Sequence, residues 1–277
     1  MDEEVIWEEF DLDVDGIRMR VECAGSGSHI VFLHGLGGPL SWGRVPGILS
    51  ESHRVVVIHL AGFGLSAGGR EHHSASDHAA RVFHVLDQLG IDRAAIVGIS
   101  FGSIVAALCA ARDTKRIVSL VLINAVGFRP VNSLLTSRSI WNALGAILKF
   151  TVLRSERLLC YLSARSFYDV SRRPADLCRK FYAQLSGSGR REAWLDGLRE
   201  VLLGNFLRLL EDVDLPIFMI WGEFDQSVRR GYQKMIVSRF SSIKQAIIPK
   251  SSHSLPLECP DELCKSILTF AGCSAGS

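Results

Sequence analysis

Short apolar runs that alternate with helix-like patterns constrain the fold of this chain more than any other feature. Six runs rich in β-branched residues are typical of buried strands, and they lie at 29–33, 54–60, 94–99, 117–123, 216–221 and 244–248. Most are separated by segments with helical periodicity, such as 76–89 and 102–112. This alternation is typical of a mainly parallel sheet that is covered by helices on both faces. The sequence therefore predicts an α/β fold.

Two regions depart from that alternation. Runs at 8–14 and 17–22 flank Asp15-Gly16, a dipeptide that favours a two-residue hairpin turn, so an antiparallel hairpin should open the sheet. Residues 128–214 contain no convincing strand and place Leu, Ala, Arg and aromatic residues at helical spacing. We expect three or four helices there, inserted into a core that comprises residues 1–127 and 215–277.

Composition limits the classes of function. The chain has 277 residues, enough for one folded domain, and its 31 basic and 29 acidic residues leave a net charge of only +2. That balance provides no electrostatic argument for binding nucleic acid or an acidic membrane surface. A small neutral or weakly charged ligand fits better. No apolar stretch is long enough to predict a membrane span.

The N-terminal residues and the cysteines indicate the cellular compartment. The N-terminal residues are acidic and lack the basic start and apolar stretch of an export signal. Seven cysteines are scattered without paired metal-site spacing, and an odd number argues against a complete disulfide framework. We therefore expect a cytoplasmic protein with reduced thiols. The sequence does not indicate an oligomeric state.

Residues 98–102, Gly-Ile-Ser-Phe-Gly, join a predicted strand to a predicted helix. A Ser at such a turn has a strained backbone and an exposed hydroxyl, and small residues two positions away on either side allow the chain to turn tightly. A second match to the same pattern, at 64–68, is followed by a polar loop instead of a helix. We therefore predict that Ser100, and not Ser66, is the nucleophile.

A serine hydroxyl is a poor nucleophile without a base that takes its proton and a third group that orients the base. His253 follows the last predicted strand, and the carboxyl ends of parallel strands are where catalytic groups gather. Asp225 follows the preceding strand in the same way. Glu223 is a neighbouring alternative, whereas Asn124 cannot act as an ionised acid. The predicted triad is Ser100, His253 and Asp225.

Acyl transfer also needs hydrogen-bond donors at the developing oxyanion, which a glycine-rich loop can supply through backbone N–H groups. Residues 34–38, His-Gly-Leu-Gly-Gly, follow an early strand and suit that role. We assign the oxyanion hole to the N–H groups of Leu36 and Phe101, with His34 and Gly35 supporting the loop. The same run lacks the spacing of a phosphate-binding loop.

A histidine cluster raises the question of a metal site. It comprises His72, His73 and His78, with Glu71 and Asp77 beside them. The cluster lacks the H-E-x-x-H spacing that places two ligands on one helix face. We expect a solvated polar face there, and no metal.

Together these motifs resemble the α/β-hydrolase fold superfamily over nearly the whole chain. The resemblance rests on His34-Gly35, the turn at 62–66, the elbow at 98–102, Gly222-x-x-Asp225, and His253 followed by Glu258-x-Pro260. The order Ser, Asp, His along the chain is also that of the superfamily. The resemblance implies an eight-stranded, mostly parallel sheet flanked by helices, an α-helical cap inserted after strand six, and an acyl-enzyme or related mechanism without a cofactor.

Two departures from the superfamily pattern bear on loop stability and substrate. Position 59 is His where an Asp usually braces the following turn. The loop at 37–42 is similar to that of carbon–carbon hydrolases that cleave ring-fission products, yet those usually carry Trp directly after the catalytic His, where this chain has Ser254. We therefore expect hydrolysis of a small-molecule carboxylic ester. Two alternatives stay open, namely carbon–carbon bond hydrolysis of a ring-fission-type dienoic or diketone substrate, and a non-catalytic ligand receptor on the same fold.

Overall fold

A computed structural model describes residues 5–274, with gaps at 69–72, 128–137, 205, 212, 228–229 and 241. The strands of the described residues are β1 (Glu8–Val14), β2 (Ile17–Ala24), β3 (His29–Leu33), β4 (Arg54–Ile58), β5 (Ala94–Ile99), β6 (Ile117–Ile123), β7 (Ile217–Gly222) and β8 (Lys244–Ile248). They form one eight-stranded sheet in the order β1-β2-β4-β3-β5-β6-β7-β8. β2 pairs antiparallel with both β1 and β4, and every other pair is parallel.

The helices of the described residues are α1 (Val45–Leu49), α2 (Ala75–Gln88), α3 (Phe101–Arg112), α4 (Arg138–Phe150), α5 (Glu156–Ala164), α6 (Leu177–Leu185), α7 (Arg190–Leu203), α8 (Arg230–Arg239), α9 (Leu255–Glu258) and α10 (Pro260–Ser274). α2, α3 and α8 pack on one face of the sheet, whereas α1 and α10 pack on the other. Strands covered on both faces have no solvated side, which explains why their sequences are continuous apolar runs. None of the helices in the described residues has the length and apolar character needed to cross a bilayer.

The strands agree with the predicted runs to within two residues at each end, and the predicted α/β fold is confirmed. The opening hairpin turns at Asp15 and Gly16, whose φ values of 53° and 75° are those of a type I′ turn. Each strand from β3 to β8 ends at the same edge of the sheet, because all of them run in parallel. The loops after these strands therefore meet at one edge.

Four helices, α4 to α7, lie between β6 and β7, within residues 138–204 that we call the inserted segment. The first ten residues of the predicted insertion, 128–137, lie outside the described residues. Leu153, Leu159 and Leu185 form a small apolar cluster of their own inside this segment. The inserted segment thus has a separate core, much smaller than the two that cover the sheet.

Candidate active site

Ser100 lies at the turn between β5 and α3. Its backbone has φ 52° and ψ −120°, a region that non-glycine residues rarely adopt. A Cβ atom at Gly98 would lie 2.3 Å from the carbonyl oxygen of Gly102, and one at Gly102 would lie 2.0 Å from that of Leu33. The Ser100 N–H donates to the carbonyl oxygen of Ile123 at 3.0 Å. Steric crowding thus requires both glycines, and a bond to β6 holds the strained turn.

His253 and Asp225 continue from this serine in one hydrogen-bonded chain. His253 Nε2 lies 2.9 Å from Ser100 Oγ, and His253 Nδ1 lies 2.8 Å from Asp225 Oδ2. The Asp225 carboxylate is buried, and its Oδ1 accepts the N–H of Ser227 at 2.7 Å. A carboxylate that accepts the Nδ1 proton leaves Nε2 free to accept a proton from the serine hydroxyl. The structure therefore brings together the three side chains that the sequence analysis selected.

The rival nucleophile and the rival acid have other partners. Ser66 is buried, its Oγ donates to the carbonyl oxygen of His59 at 2.5 Å, and it accepts the N–H of Arg20 at 2.9 Å. Glu223 accepts the N–H of Lys250 at 3.2 Å, in the loop after β8. Ser66 thus closes the turn after β4, and Glu223 stabilises a loop.

His59 fills the position where the superfamily usually has Asp. Its Nδ1 accepts the N–H of Leu65 at 3.0 Å, and its Nε2 lies 3.3 Å from Oε1 of Glu22 on β2. The neighbouring His59 ring lowers the pKa of the Glu22 carboxyl group. A buried imidazole therefore braces the turn at 62–66, and a neighbouring strand supplies the carboxylate.

The loop after β3 runs directly against the serine. A Cβ atom at Gly35 would lie 3.0 Å from Ser100 Cβ, so any larger residue here would crowd the serine. The backbone N–H groups of Leu36 and Phe101 donate to no acceptor within the described residues. Phe101 is the first residue of α3, and the N-terminus of a helix favours negative charge. Both N–H groups are therefore available to a bound oxygen.

His34 connects this loop to the loop after β4. Its Nε2 accepts the N–H of Leu60 at 3.0 Å, so the proton of the neutral ring is on Nδ1, which lies 2.8 Å from the carbonyl oxygen of Gly35. Burial lowers the pKa of His34 to about 3. A neutral, fully buried imidazole thus supports the predicted oxyanion loop.

Asn124 has a structural role that was not predicted from the sequence, where the residue was weighed only as a possible acid. It follows β6 with a φ of 46°, and its Oδ1 accepts the N–H of Gly222 at 2.9 Å. Its Nδ2 donates to the carbonyl oxygens of Ser252 and His253 at 3.1 and 3.0 Å. One side chain therefore joins the end of β7, which leads to Asp225, to the loop of His253. The available signal was an Asn at a strand end, since Asn tolerates positive φ.

The loop after β8 is also bonded to the inserted segment. The buried Glu258 carboxylate accepts the N–H of Ser252 at 2.8 Å and the N–H of Tyr168 at 2.7 Å. The Ser254 N–H donates to the carbonyl oxygen of Ser166 at 2.8 Å, and the two hydroxyl oxygens are also 2.8 Å apart. Position 254, where carbon–carbon hydrolases usually carry Trp, is thus a polar contact with the inserted segment.

A cavity of about 330 Å³ lies above Ser100. Its apolar lining from the inserted segment comprises Val152, Leu159, Leu162, Phe181 and Trp194. Serine hydroxyls supply most of its polar lining, and no Asp, Glu, Lys or Arg of the described residues lines it. The volume is near the lower end of the roughly 300–1,000 Å³ typical of small-molecule sites. The cavity therefore suits a small, uncharged and mainly apolar molecule.

The expected solvated face around the histidine cluster is wrong for His73 and His78, which are both buried. Ser74 caps α2 and forms a capping box with Asp77. This cap places His73, the residue before Ser74, and His78, the fourth residue of α2, on the same side of the helix. Their imidazole rings lie 5.7 Å apart. Burial lowers the pKa of His78. Residues 71–72 lie outside the described residues, within which no three metal-ligating side chains form a group.

Known proteins are similar in sequence to part of this chain. It is 36% identical over 118 residues to the dihydrolipoyllysine-residue acetyltransferase component of the acetoin cleaving system of Cupriavidus necator, a match that covers 42% of this chain and 32% of that protein. It is 32% identical over 117 residues to the 2-hydroxy-6-oxo-2,4-heptadienoate hydrolase of Pseudomonas putida, covering 40% of this chain and 42% of that protein. Each match thus spans less than half the length of the relative.

Similarity in fold, and the match to a family, cover much more of the chain than these two relatives do. The crystal structure of a membrane phospholipase A, described as a bacterial virulence factor, superposes with a TM-score of 0.82 at 22% identity, over 98% of this chain and 87% of that one. At that identity the likeness shows the fold alone. The sequence profile of the alpha/beta hydrolase family matches residues 30–266, from β3 to α10. The resemblance seen in the motifs is therefore confirmed, and the chain belongs to the alpha/beta hydrolase family.

Proposed function

We propose that this protein is a serine hydrolase that cleaves a small-molecule carboxylic ester through an acyl-enzyme. The observation that carries the proposal is the continuous chain from Asp225 through His253 to Ser100, with contacts of 2.8 and 2.9 Å. A nucleophile that touches a base, which is in turn oriented by a third group, is the arrangement that activates serine. Membership of the alpha/beta hydrolase family agrees with this chemistry.

In the first half of the reaction, Ser100 Oγ attacks the ester carbonyl carbon while His253 Nε2 takes the hydroxyl proton. Asp225 stays ionised and stabilises the imidazolium through Nδ1–H. The carbonyl oxygen becomes an oxyanion that accepts hydrogen bonds from the N–H groups of Leu36 and Phe101. The tetrahedral intermediate then collapses, and the leaving alcohol takes the proton from His253.

In the second half, water attacks the acyl group on Ser100. His253 takes a proton from this water as the new carbon–oxygen bond forms, and the same two N–H groups stabilise the second oxyanion. Collapse breaks the ester bond to Ser100, which takes the proton back from His253. The products are a carboxylic acid and the starting protein, so the protons balance over one cycle.

We also propose that residues 128–214 act as a cap over the active site. Side chains of this region, among them Leu162 and Phe181, line the same cavity as Ser100. A cap excludes bulk water from the active site, and the shape of its inner surface selects the acyl group. The bonds from Glu258 to the inserted segment support a cap that is held against the loop of the base.

The cavity favours an ester over the carbon–carbon alternative. A dienoate, as in the name of the Pseudomonas putida relative, carries a carboxylate that needs charged or several polar partners when it is buried. The cavity lining within the described residues contains no Lys or Arg. The hydroxyls of Ser41, Ser163 and Ser166 donate to backbone carbonyl oxygens, so these protons are already engaged. An uncharged acyl group against Leu and Phe side chains fits this lining better.

The test is hydrolysis of p-nitrophenyl esters from acetate to palmitate by wild type, Ser100→Ala and Ser66→Ala. Ser100→Ala should lower kcat by about 10⁴-fold or more while the protein stays folded. Ser66 provides a matched control, because it lies in the same G-x-S-x-G pattern. Ser66→Ala should retain kcat and lose about 1–3 kcal/mol of stability, since the N–H of Arg20 loses its acceptor.

Each other outcome points to a different function. A Ser100→Ala variant that keeps most of its activity contradicts the nucleophile assignment. A folded wild type that hydrolyses no ester contradicts the ester assignment, and the next assay is then cleavage of a dienoic or diketone substrate. Stoichiometric ligand binding without turnover in both assays would indicate a receptor.

A further inference from the structure

The inserted segment exposes large apolar side chains on α4 and α5, two consecutive helices that both pack against the turn at Val152–Arg154. On α4, Leu144, Ile147 and Phe150 are 40%, 60% and 62% exposed, and on α5, Leu158 and Tyr161 are 36% and 66% exposed. We call these five side chains the α4–α5 surface. Residues three apart lie on the same side of a helix, so each set forms one stripe. Several exposed apolar side chains on neighbouring elements of one segment mark a candidate interaction site.

Cationic side chains accompany this surface. Arg157 and Arg165 are exposed on α5 or directly after it, four residues before and after Tyr161, and therefore share its face. The guanidinium of Arg154 lies over the ring of Phe150, 5.2 Å from its centroid. The apolar side chains are thus flanked by fixed positive charges.

The charge of the whole chain conceals this arrangement. Residues 138–203 contain twelve basic and six acidic side chains, whereas the rest of the chain contains nineteen basic and twenty-three acidic ones. The net charge of +2 is therefore the sum of a cationic inserted segment and an anionic remainder. A net charge of +2 provides no argument for an acidic membrane surface, because the two contributions largely cancel. The positive excess lies on the segment that exposes apolar side chains.

Leu162 connects the α4–α5 surface to the cavity. It lines the cavity above Ser100, yet 42% of its own surface is exposed. It follows Tyr161 directly and lies one helical turn after Leu158. Apolar side chains thus continue from the exposed surface of α5 to the cavity that contains the nucleophile.

We propose that the α4–α5 surface docks on an anionic lipid surface, from which an ester substrate enters the cavity. The aliphatic and aromatic side chains would lie among acyl chains, while Arg157 and Arg165 contact phosphate groups at the headgroup level. The entry of substrate rests on the proposed ester hydrolysis, whereas the docking does not. Nucleic acid would match the charge but not the aliphatic side chains. A second copy of this surface would bring like charges together.

Binding is measured by flotation with phosphatidylcholine vesicles, prepared with and without phosphatidylglycerol. The protein carries Ser100→Ala in every sample, so that hydrolysis cannot change the vesicles. Docking predicts binding to the anionic vesicles, much weaker binding to phosphatidylcholine alone, and release at high ionic strength. Two paired variants, Ile147→Ser/Phe150→Ser and Arg157→Gln/Arg165→Gln, should each reduce binding by about tenfold or more.

Matched controls remove similar groups from other faces. Ile247 is 55% exposed on β8, against 60% for Ile147, so Ile247→Ser removes a comparably exposed apolar side chain. Arg93 and Lys115 are exposed before β5 and β6, at the edge of the sheet opposite Ser100. Arg93→Gln/Lys115→Gln therefore removes the same charge as the arginine pair. Both controls should bind vesicles as the parent protein does.

Equal binding to both vesicle types, or equal losses in the controls, contradicts docking. Sedimentation that shows a dimer, which the α4–α5 variants dissociate, would assign this surface to a second copy and overturn the proposal. With Ser100 restored, the surface variants should hydrolyse dissolved p-nitrophenyl acetate normally but lose activity on an ester carried in anionic vesicles. Failure of wild type on every dissolved ester would contradict the proposed function and leave the vesicle result intact.

Discussion

The loops at the carboxyl edge of the sheet and the inserted segment both border Ser100, but they are held in different ways. The loops are fixed by buried polar groups, such as Asn124, His34 and Glu258, each of which bonds two or more backbone positions. The inserted segment packs around a cluster of three buried leucines and leaves apolar side chains in solvent. In the proposed function, the rigid sheet edge would set the reaction geometry, and the inserted segment would determine which molecules reach Ser100.

After the loss of Ser100 itself, substitution at the acid should have the largest effect, because it removes the group that orients the base. We expect Asp225→Asn to lower kcat by about 10³–10⁴-fold, since an amide facing Nδ1 favours the wrong imidazole tautomer. Glu223→Gln is the matched control two residues away and should retain kcat. Initial rates on p-nitrophenyl acetate measure both. Equal losses in the two variants would show that the acid has been wrongly assigned.

Substitution of Asn124 tests whether the polar bonds of the sheet edge position the triad. Asn124→Gly keeps the positive φ accessible but removes all three side-chain bonds, so kcat should fall by about 10–100-fold with little change in KM. Asn124→Ala, which adds backbone strain, should be at least as impaired. A fully active glycine variant together with an impaired alanine variant would mean that strain, and not the bonds, accounts for the effect.

Filling the cavity from the inserted segment should change selectivity and leave the chemistry intact. Leu162→Trp adds volume to a side chain that lines the cavity, whereas Leu158→Trp adds it one turn away on the exposed face. We expect the first variant to lose about tenfold in kcat/KM on long-chain esters and to retain activity on acetate. The second should resemble wild type in a dissolved-ester assay. Equal losses on every chain length would place the acyl group elsewhere.

The smallest expected effect is on the pH dependence of the free energy of unfolding. Burial lowers the pKa of His34 to about 3 from an ordinary value of 6.5, so between these values the unfolded chain binds a proton that the folded chain does not. The stabilisation is complete above about pH 6.5 and is lost as the pH falls toward about 3. Urea unfolding at several pH values should show a shallower decline for His34→Gln than for wild type. Parallel declines would show that His34 does not contribute.

Much of the candidate active site could be predicted because its signals are local. An apolar run, a glycine pair and a helix pattern are all contained within a few residues around Ser100, and steric crowding permits few alternatives there. His253 is 153 residues from Ser100 in the sequence. Parallel strands bring their carboxyl ends to one edge, so the position of His253 after β8 was enough to predict that it lies near Ser100. The buried His73 and His78 were not predicted, because their burial depends on a helix cap and on neighbouring helices.

The sequence by itself determined the order of strands and helices along the chain, the tight turn at Ser100 and the choice of Ser100, His253 and Asp225 as the predicted triad. Only the tertiary structure decided what holds them in place. Asn124 bonds residues 98 to 129 positions away, and no periodicity along the chain encodes such pairs. The exposure of Arg157 and Arg165 on the face of Tyr161 is of the same kind, since the order of residues does not show which side chains reach the surface. Local sterics and hydrophobic periodicity are encoded in neighbouring residues, whereas hydrogen-bond partners and surface patches depend on how distant segments pack.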